Sequence, residues 1–206
     1  MTKTKSTYLA LAALLLSPMT ANADPFFETG DAGELLGAEQ NVDDNTDLIG
    51  GLLGPTSADM FGFNWVGGLL TIDAFATFDS QLSLFDDLGF GLIHDDDSGP
   101  GVQASITGDF APGNYLLAIS AYNYDPQSAG GAIFPTGFPG PYFPDGPGGL
   151  LPLSGWSSPF TTNLGEYQIN FSSVVNAPSA VPEPGTLALL GLGLMGMALA
   201  RRRKKV

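Results

Sequence analysis

Between Asp24 and Ala200 the sequence contains no lysine, no arginine and no cysteine, and it offers a single imidazole, His94. Without cysteine the stretch cannot be stapled by disulfides or bind metal through thiolates. Without cysteine and lysine it also lacks the thiol and amine nucleophiles of covalent catalysis. A serine triad would have to recruit His94 to a distant serine by folding alone, because no G-x-S-x-G elbow is present. Of the 21 acidic residues only Glu183 lies in the C-terminal segment, so 21 − 1 = 20 carboxylates face one histidine in the body of the chain. Such a surface repels nucleic acid and anionic lipid and favours cations or cationic partners. Nucleic-acid binding is set aside on this ground.

The seven basic residues all lie near the two ends. Lys3 and Lys5 precede a short apolar run, Tyr8 to Leu16, and a small-residue site at Ala21, Asn22 and Ala23. Residues 1–23 therefore read as a secretory signal peptide, with cleavage by signal peptidase before Asp24. At the other end Arg201, Arg202, Arg203, Lys204 and Lys205 follow an apolar run over 186–200. That run is shorter than the roughly 20 residues of an ordinary span, so as a transmembrane helix it would sit with its ends snorkelling. The basic cluster then stays cytoplasmic and leaves the acidic body outside.

Immediately before that run stand Val181, Pro182, Glu183 and Pro184. Two prolines keep the segment extended and accessible to an enzyme in the membrane. "VPEP", a short hydrophobic helix and "RRRKK" in this order resemble the PEP-CTERM sorting signal of Gram-negative bacteria that make exopolysaccharide. The resemblance implies an inner-membrane-anchored precursor, processing by an exosortase-type protease, and delivery to the cell surface or matrix. A plain single-pass anchor is the alternative.

The body, 24–180, is one domain's worth of chain. Period-two alternation is frequent: "LLTIDAFATFD" puts Ile72, Ala74, Ala76 and Phe78 on one side, "SQLSLFDD" puts Leu82 and Leu84 together, and "GEYQINFSSVV" alternates Tyr167, Ile169 and Phe171. Short strands separated by turn clusters, with 28 Gly and 16 Pro in the chain, predict an all-β, jelly-roll-like β-sandwich between the signal peptide and the sorting helix. "DMFGFNWVGGLLTIDAFA", "FDSQLSLFDDLGFGLIHDDDSG" and "APGNYLLAISAYNYDP" resemble, in order, the pre-peptidase C-terminal jelly-roll domain, and more closely the variant often carried by PEP-CTERM proteins. That resemblance spans about Asp31 to Phe171 and implies a non-catalytic accessory domain. "GFNWVGG" departs from the plainer alternating strand of the family.

Residues 126–159 hold 8 Pro and 8 Gly among 34. Regular ladders are not expected through such density, so the stretch reads as a long loop or irregular insertion. It carries Phe134, Phe138, Tyr142, Phe143, Trp156 and Phe160. Two readings stand: the aromatics tuck the loop onto the sandwich, or Tyr142, Phe143 and Trp156 form a stacking surface for a partner such as exopolysaccharide.

The acids raise a similar pair of readings. "DDNTDLIGG" has Asp43, Asn45 and Asp47 at calcium-loop spacing, but Leu48 stands where an EF-hand needs glycine, and Gly54 where it needs glutamate. In "HDDDSG" the turn residues Asp95, Asp96 and Asp97 follow a strand flanked by Asp79 and Asp86. These five carboxylates either are solvated turns or converge on one Ca²⁺, which would offset the charge of an acidic domain. His94, ahead of the acidic turn, is expected to be an exposed polar residue or a weak ligand. The expectation is a non-enzymatic, exported structural or binding protein. The alternative is a secreted hydrolase of the glycosidase or esterase type, using His94 with Asp95 to Asp97 or a carboxylate pair.

Overall fold

Alternation along one strand sets the frame: Leu70, Ile72 and Ala74 are buried while Leu69 and Phe75 point to solvent. A computed structural model describes residues 23–54, 57–135, 140–157 and 165–179. The signal peptide up to residue 22, the VPEP motif, the sorting helix 186–200 and the basic tail lie outside the described residues. Among those described, no helix is long and apolar enough to cross a membrane.

The strands are β1 (Asp24–Phe27), β2 (Gln40–Asn41), β3 (Thr46–Leu53), β4 (Ala58–Trp65), β5 (Gly68–Ala76), β6 (Ser80–Asp86) and β7 (Gly91–Asp95). They continue as β8 (Ser105–Phe110), β9 (Gly113–Ala121), β10 (Pro126–Ser128), β11 (Gly131–Ala132), β12 (Leu153–Trp156) and β13 (Gly165–Val175). One five-stranded sheet runs β1-β3-β13-β5-β8 and a second runs β2-β4-β9-β6-β7. Without the short parallel additions β1 and β2, eight strands remain, four in each sheet. The chain crosses between sheets at β3 to β4, β4 to β5, β5 to β6, β7 to β8, β8 to β9 and β9 to β13. This is the strand order of a jelly roll, as the sequence predicted.

Ile49, Phe61, Phe63, Ile72, Leu82, Leu84, Leu117, Ile119 and Ile169 fill the space between the sheets. Each side chain so buried contributes roughly 1.5–3 kcal/mol. The "GFNWVGG" departure has a local cause. β4 keeps its full pairing with β9 as far as Trp65. Gly67 and Gly68, at φ of 100° and 104°, then turn the chain into β5, a backbone that side-chain-bearing residues rarely adopt.

The two sheets differ on their outer faces. β5 and β13 alternate buried and exposed positions, whereas β6 and β9 are buried almost throughout on both faces. The cover on the second sheet is the Pro/Gly-rich insertion. Ile133, Phe134 and Leu153 from the insertion form a second core with Met60, Phe85, Leu116 and Ala118, and Tyr142 and Trp156 pack against it. The insertion also contains a small sheet, β11-β10-β12, where no ladder was expected. It forms because the segments between prolines are long enough for two- to four-residue strands, and because Pro126 takes the first position of β10, where it interrupts no bond. The described parts of the insertion, 126–135 and 140–157, are therefore a third layer rather than a free loop.

Candidate cation site and aromatic insertion

The β6–β7 hairpin pairs Leu82 with Asp95 and Ser83 with His94. Asp79, just before β6, is thereby brought beside Asp96 and Asp97, just after β7. Carboxylate oxygens of these three residues lie within 4.8 Å of one another. Asp96 is 1% exposed, and neither of its oxygens accepts a hydrogen bond among the described residues. One oxygen each of Asp79 and Asp97 is in the same condition.

The other two candidates do different work. Asp86 closes the opposite end of β6, about 20 Å away along the strand. There its Oδ1 accepts the N–H groups of Leu88 at 3.0 Å and Phe90 at 2.8 Å, which caps the turn into β7. Asp95 is fully buried, but both its oxygens are engaged: it accepts from the Ser98 N–H at 3.0 Å, the Ser105 N–H at 2.8 Å and the Ser98 hydroxyl at 2.5 Å. Asp95 thus holds the acidic turn in shape, and Asp86 lies outside the cluster because the hairpin register carries it to the far end.

Two residues were missed by the sequence reading. Gln81 shares the outward face of β6 with the preceding Asp79, is 4% exposed, and donates its amide to Asp125 Oδ1 at 3.2 Å. Its own carbonyl oxygen accepts nothing among the described residues. Asp125 lies just before β10, far away in sequence. The period-two rule could have placed Gln81 beside Asp79; nothing local could have placed Asp125.

The electrostatics follow from the crowding. Burial first, then Asp97, Asp79, Asp125 and Asp95, push the Asp96 carboxyl up to about 7. Burial also raises Asp79 and Asp97, with added repulsion from Asp97 and Asp95 respectively. Burial raises Asp125 as well, against the favourable contact from Gln81.

His94 corrects the expectation of an exposed residue. It is 4% exposed, its ring lies 5.3 Å from that of Phe134 and 6.4 Å from that of Tyr142, and its Nδ1 is 2.8 Å from Ser83 Oγ. Burial holds its pKa down to about 4, so the ring is neutral at ordinary pH. The backbone of His94 also pairs with Tyr142 of the insertion in both directions, at 2.9 and 2.7 Å.

The insertion aromatics divide by position. Tyr142 and Trp156 are half-buried against the second core, while Phe143 is 59% exposed, near the exposed Leu150 and Leu151 in sequence. Phe138 and Phe160 lie outside the described residues. On the other side of the molecule an open groove of about 870 Å³ runs over the first sheet, with Phe27, Leu52 and Phe75 among its walls and Glu28 and Tyr167 at one side. Beside it Asp59 on β4 is buried, and burial, reinforced by Glu28 and Asp31, pushes its carboxyl up to about 8 while the Tyr167 hydroxyl opposes the shift. That hydroxyl donates to Glu28 at 2.7 Å.

Residues 180–204 match the PEP-CTERM protein-sorting motif. The motif marks the chain for exosortase-dependent export, through a membrane-anchored precursor, to the cell surface. Among solved structures the chain is similar to the pre-peptidase C-terminal domain of a collagenase from Bacillus anthracis. The two are 14% identical, with a TM-score of 0.39, over 65% of this chain and 93% of that one. No curated protein matches the chain.

Proposed function

We propose that the chain is a non-catalytic structural or binding module of the cell surface or exopolysaccharide matrix of a Gram-negative bacterium. The observation that carries this reading is the sorting motif at 180–204, attached to a sandwich whose added third layer presents Phe143 and Leu150 to solvent. Tyr142 and Trp156 support the layer from beneath, and among the described residues of the insertion Phe143 is the aromatic free to stack on a sugar face. The burial of His94 between aromatic rings supports a structural role for the one imidazole. The rival, a hydrolase built on His94 with Asp95 to Asp97 or on a carboxylate pair, would need those groups to reach a substrate.

The test is retention on the producer's own exopolysaccharide. The chain should be retained on the polymer, and Phe143→Ala should elute earlier without loss of stability. Equal retention of both, or of neither, removes insertion-borne recognition. Release of reducing sugar from the polymer would favour the hydrolase.

A further inference from the structure

We propose that Asp79, Asp96 and Asp97, with Gln81 and Asp125, bind one Ca²⁺ that fastens the insertion to the sandwich. This does not depend on what the insertion recognises. The proximity of the three carboxylates is the first observation. The independent one is that Asp96 and Gln81 are more than nine-tenths buried, and both Asp96 oxygens and the Gln81 carbonyl oxygen lack a donor among the described residues.

Buried acceptors are ordinarily satisfied, and buried carboxylates are paired or bind metal. Among the described residues there is no lysine or arginine, so His94 is the one side chain among them that could bring a positive charge to this cluster. The His94 ring lies against those of Phe134 and Tyr142, and its Nδ1 is engaged by the Ser83 hydroxyl. A bound metal ion would supply the counter-charge that the described residues do not.

The donor chemistry selects the ion. Every candidate atom is an oxygen, four from different carboxylates and one from a carboxamide, with neither nitrogen nor sulfur in the set. Zinc and copper favour nitrogen and sulfur donors, and Mg²⁺ gives up its water reluctantly. Ca²⁺ accepts six to eight oxygens with tolerant geometry, and extracellular modules bind it at about 10⁻⁴–10⁻³ M.

The position gives the ion a task. Asp79 and Gln81 belong to β6 and its approach, and Asp96 and Asp97 to the turn after β7. Asp125 is the last residue before the insertion. Its N–H donates to the Ser157 hydroxyl at 2.9 Å, and its carbonyl accepts the Ser157 N–H at 2.8 Å. One ion on these groups therefore holds Asp125, at the entry to the insertion, and through it Ser157, near the insertion's far end, against the β6–β7 hairpin.

The full chain, stripped with chelator and kept in detergent, is titrated with CaCl₂ by calorimetry and followed by thermal melting and chymotrypsin cleavage. A single site is expected. At a hundredfold excess over Kd the melting temperature should rise by about 5–10 °C. Cleavage of the Tyr142–Phe143 bond should slow several-fold, and MgCl₂ at equal concentration should do much less. Asp97→Asn and Asp125→Asn should fold and lose the response, as should Asp96→Asn, while Asp86→Asn keeps it. No Ca²⁺ response in the unaltered chain overturns the proposal. So does an undiminished response in Asp97→Asn and Asp125→Asn, or one lost only in Asp59→Asn, which would move the ion to the other sheet. A melting shift with unchanged cleavage of the Tyr142–Phe143 bond would overturn the fastening of the insertion.

Discussion

Trp156 lies flat on Tyr124, with ring centroids 5.4 Å apart and planes 13° from parallel, and its indole N–H donates to the Glu34 carbonyl at 2.7 Å. The last strand of the insertion is thus pinned to the N-terminal segment, and the tryptophan is engaged by the protein itself. Trp156→Ala should cost about 3 kcal/mol of stability, read from urea unfolding. Phe143→Ala should stay within about 0.5 kcal/mol of the unaltered chain. Equal stability losses for the two would contradict the division of roles between them.

Gly91 opens β7 beneath the insertion, and a Cβ added there would come within 2.8 Å of the Phe134 ring. Gly91→Ala should therefore lift the insertion from the second sheet at a cost of about 1–3 kcal/mol. Near-ultraviolet circular dichroism should lose aromatic signal while the far-ultraviolet sheet signal persists. An unchanged aromatic spectrum would show that the layer has slack at this point.

Asp59 sets a pH dependence. Its folded-state pKa of about 8 lies above the ordinary 3.8, so the folded chain holds this proton more tightly than the unfolded one. The stabilisation is complete below about 4 and is lost as pH rises toward about 8. The groups facing it, Glu28, Asp31 and the Tyr167 hydroxyl, supply no positive charge to reverse that sign. In chelator, melting temperatures should fall between pH 5 and 8 by more than for Asp59→Asn, which should also melt higher at pH 8. A variant with the same slope as the unaltered chain would remove Asp59 from this account.

Replacing Pro182, Glu183 and Pro184 together by alanine should leave full-length, unprocessed protein in the inner membrane of an exosortase-bearing host. The mass of the exported product reads this directly. A mature mass unaffected by the change would leave the tail as a plain anchor.

Local pattern carried the frame of this fold. Alternation in β5 and β13 was visible because each presents one face to solvent. The Asp79, Asp96 and Asp97 grouping was within reach because a single hairpin creates it. Asp86 was misplaced with them because flanking a strand in sequence means sitting at opposite ends of it in space. Asp125 and Asp59 escaped because their neighbours come from distant strands, whereas Gln81 was within reach of the period-two rule. His94 was misread for a related reason: its burial depends on Phe134 and Tyr142, from an insertion whose proline and glycine content suggested a loose loop. Apolar side chains and a few isolated backbone bonds, such as those between His94 and Tyr142, hold that layer down in place of a continuous ladder.

The eleven-residue strand β13 is flanked by β3 on one side and β5 on the other, and the sorting motif begins five residues beyond its end at Val175. Any tether made through that tail would pull on an interior strand along its own length. Tension would then load the hydrogen bonds on both flanks side by side, in shear, instead of opening them one after another. A domain pulled by its C-terminus in this way would resist unfolding more than one pulled by an edge strand.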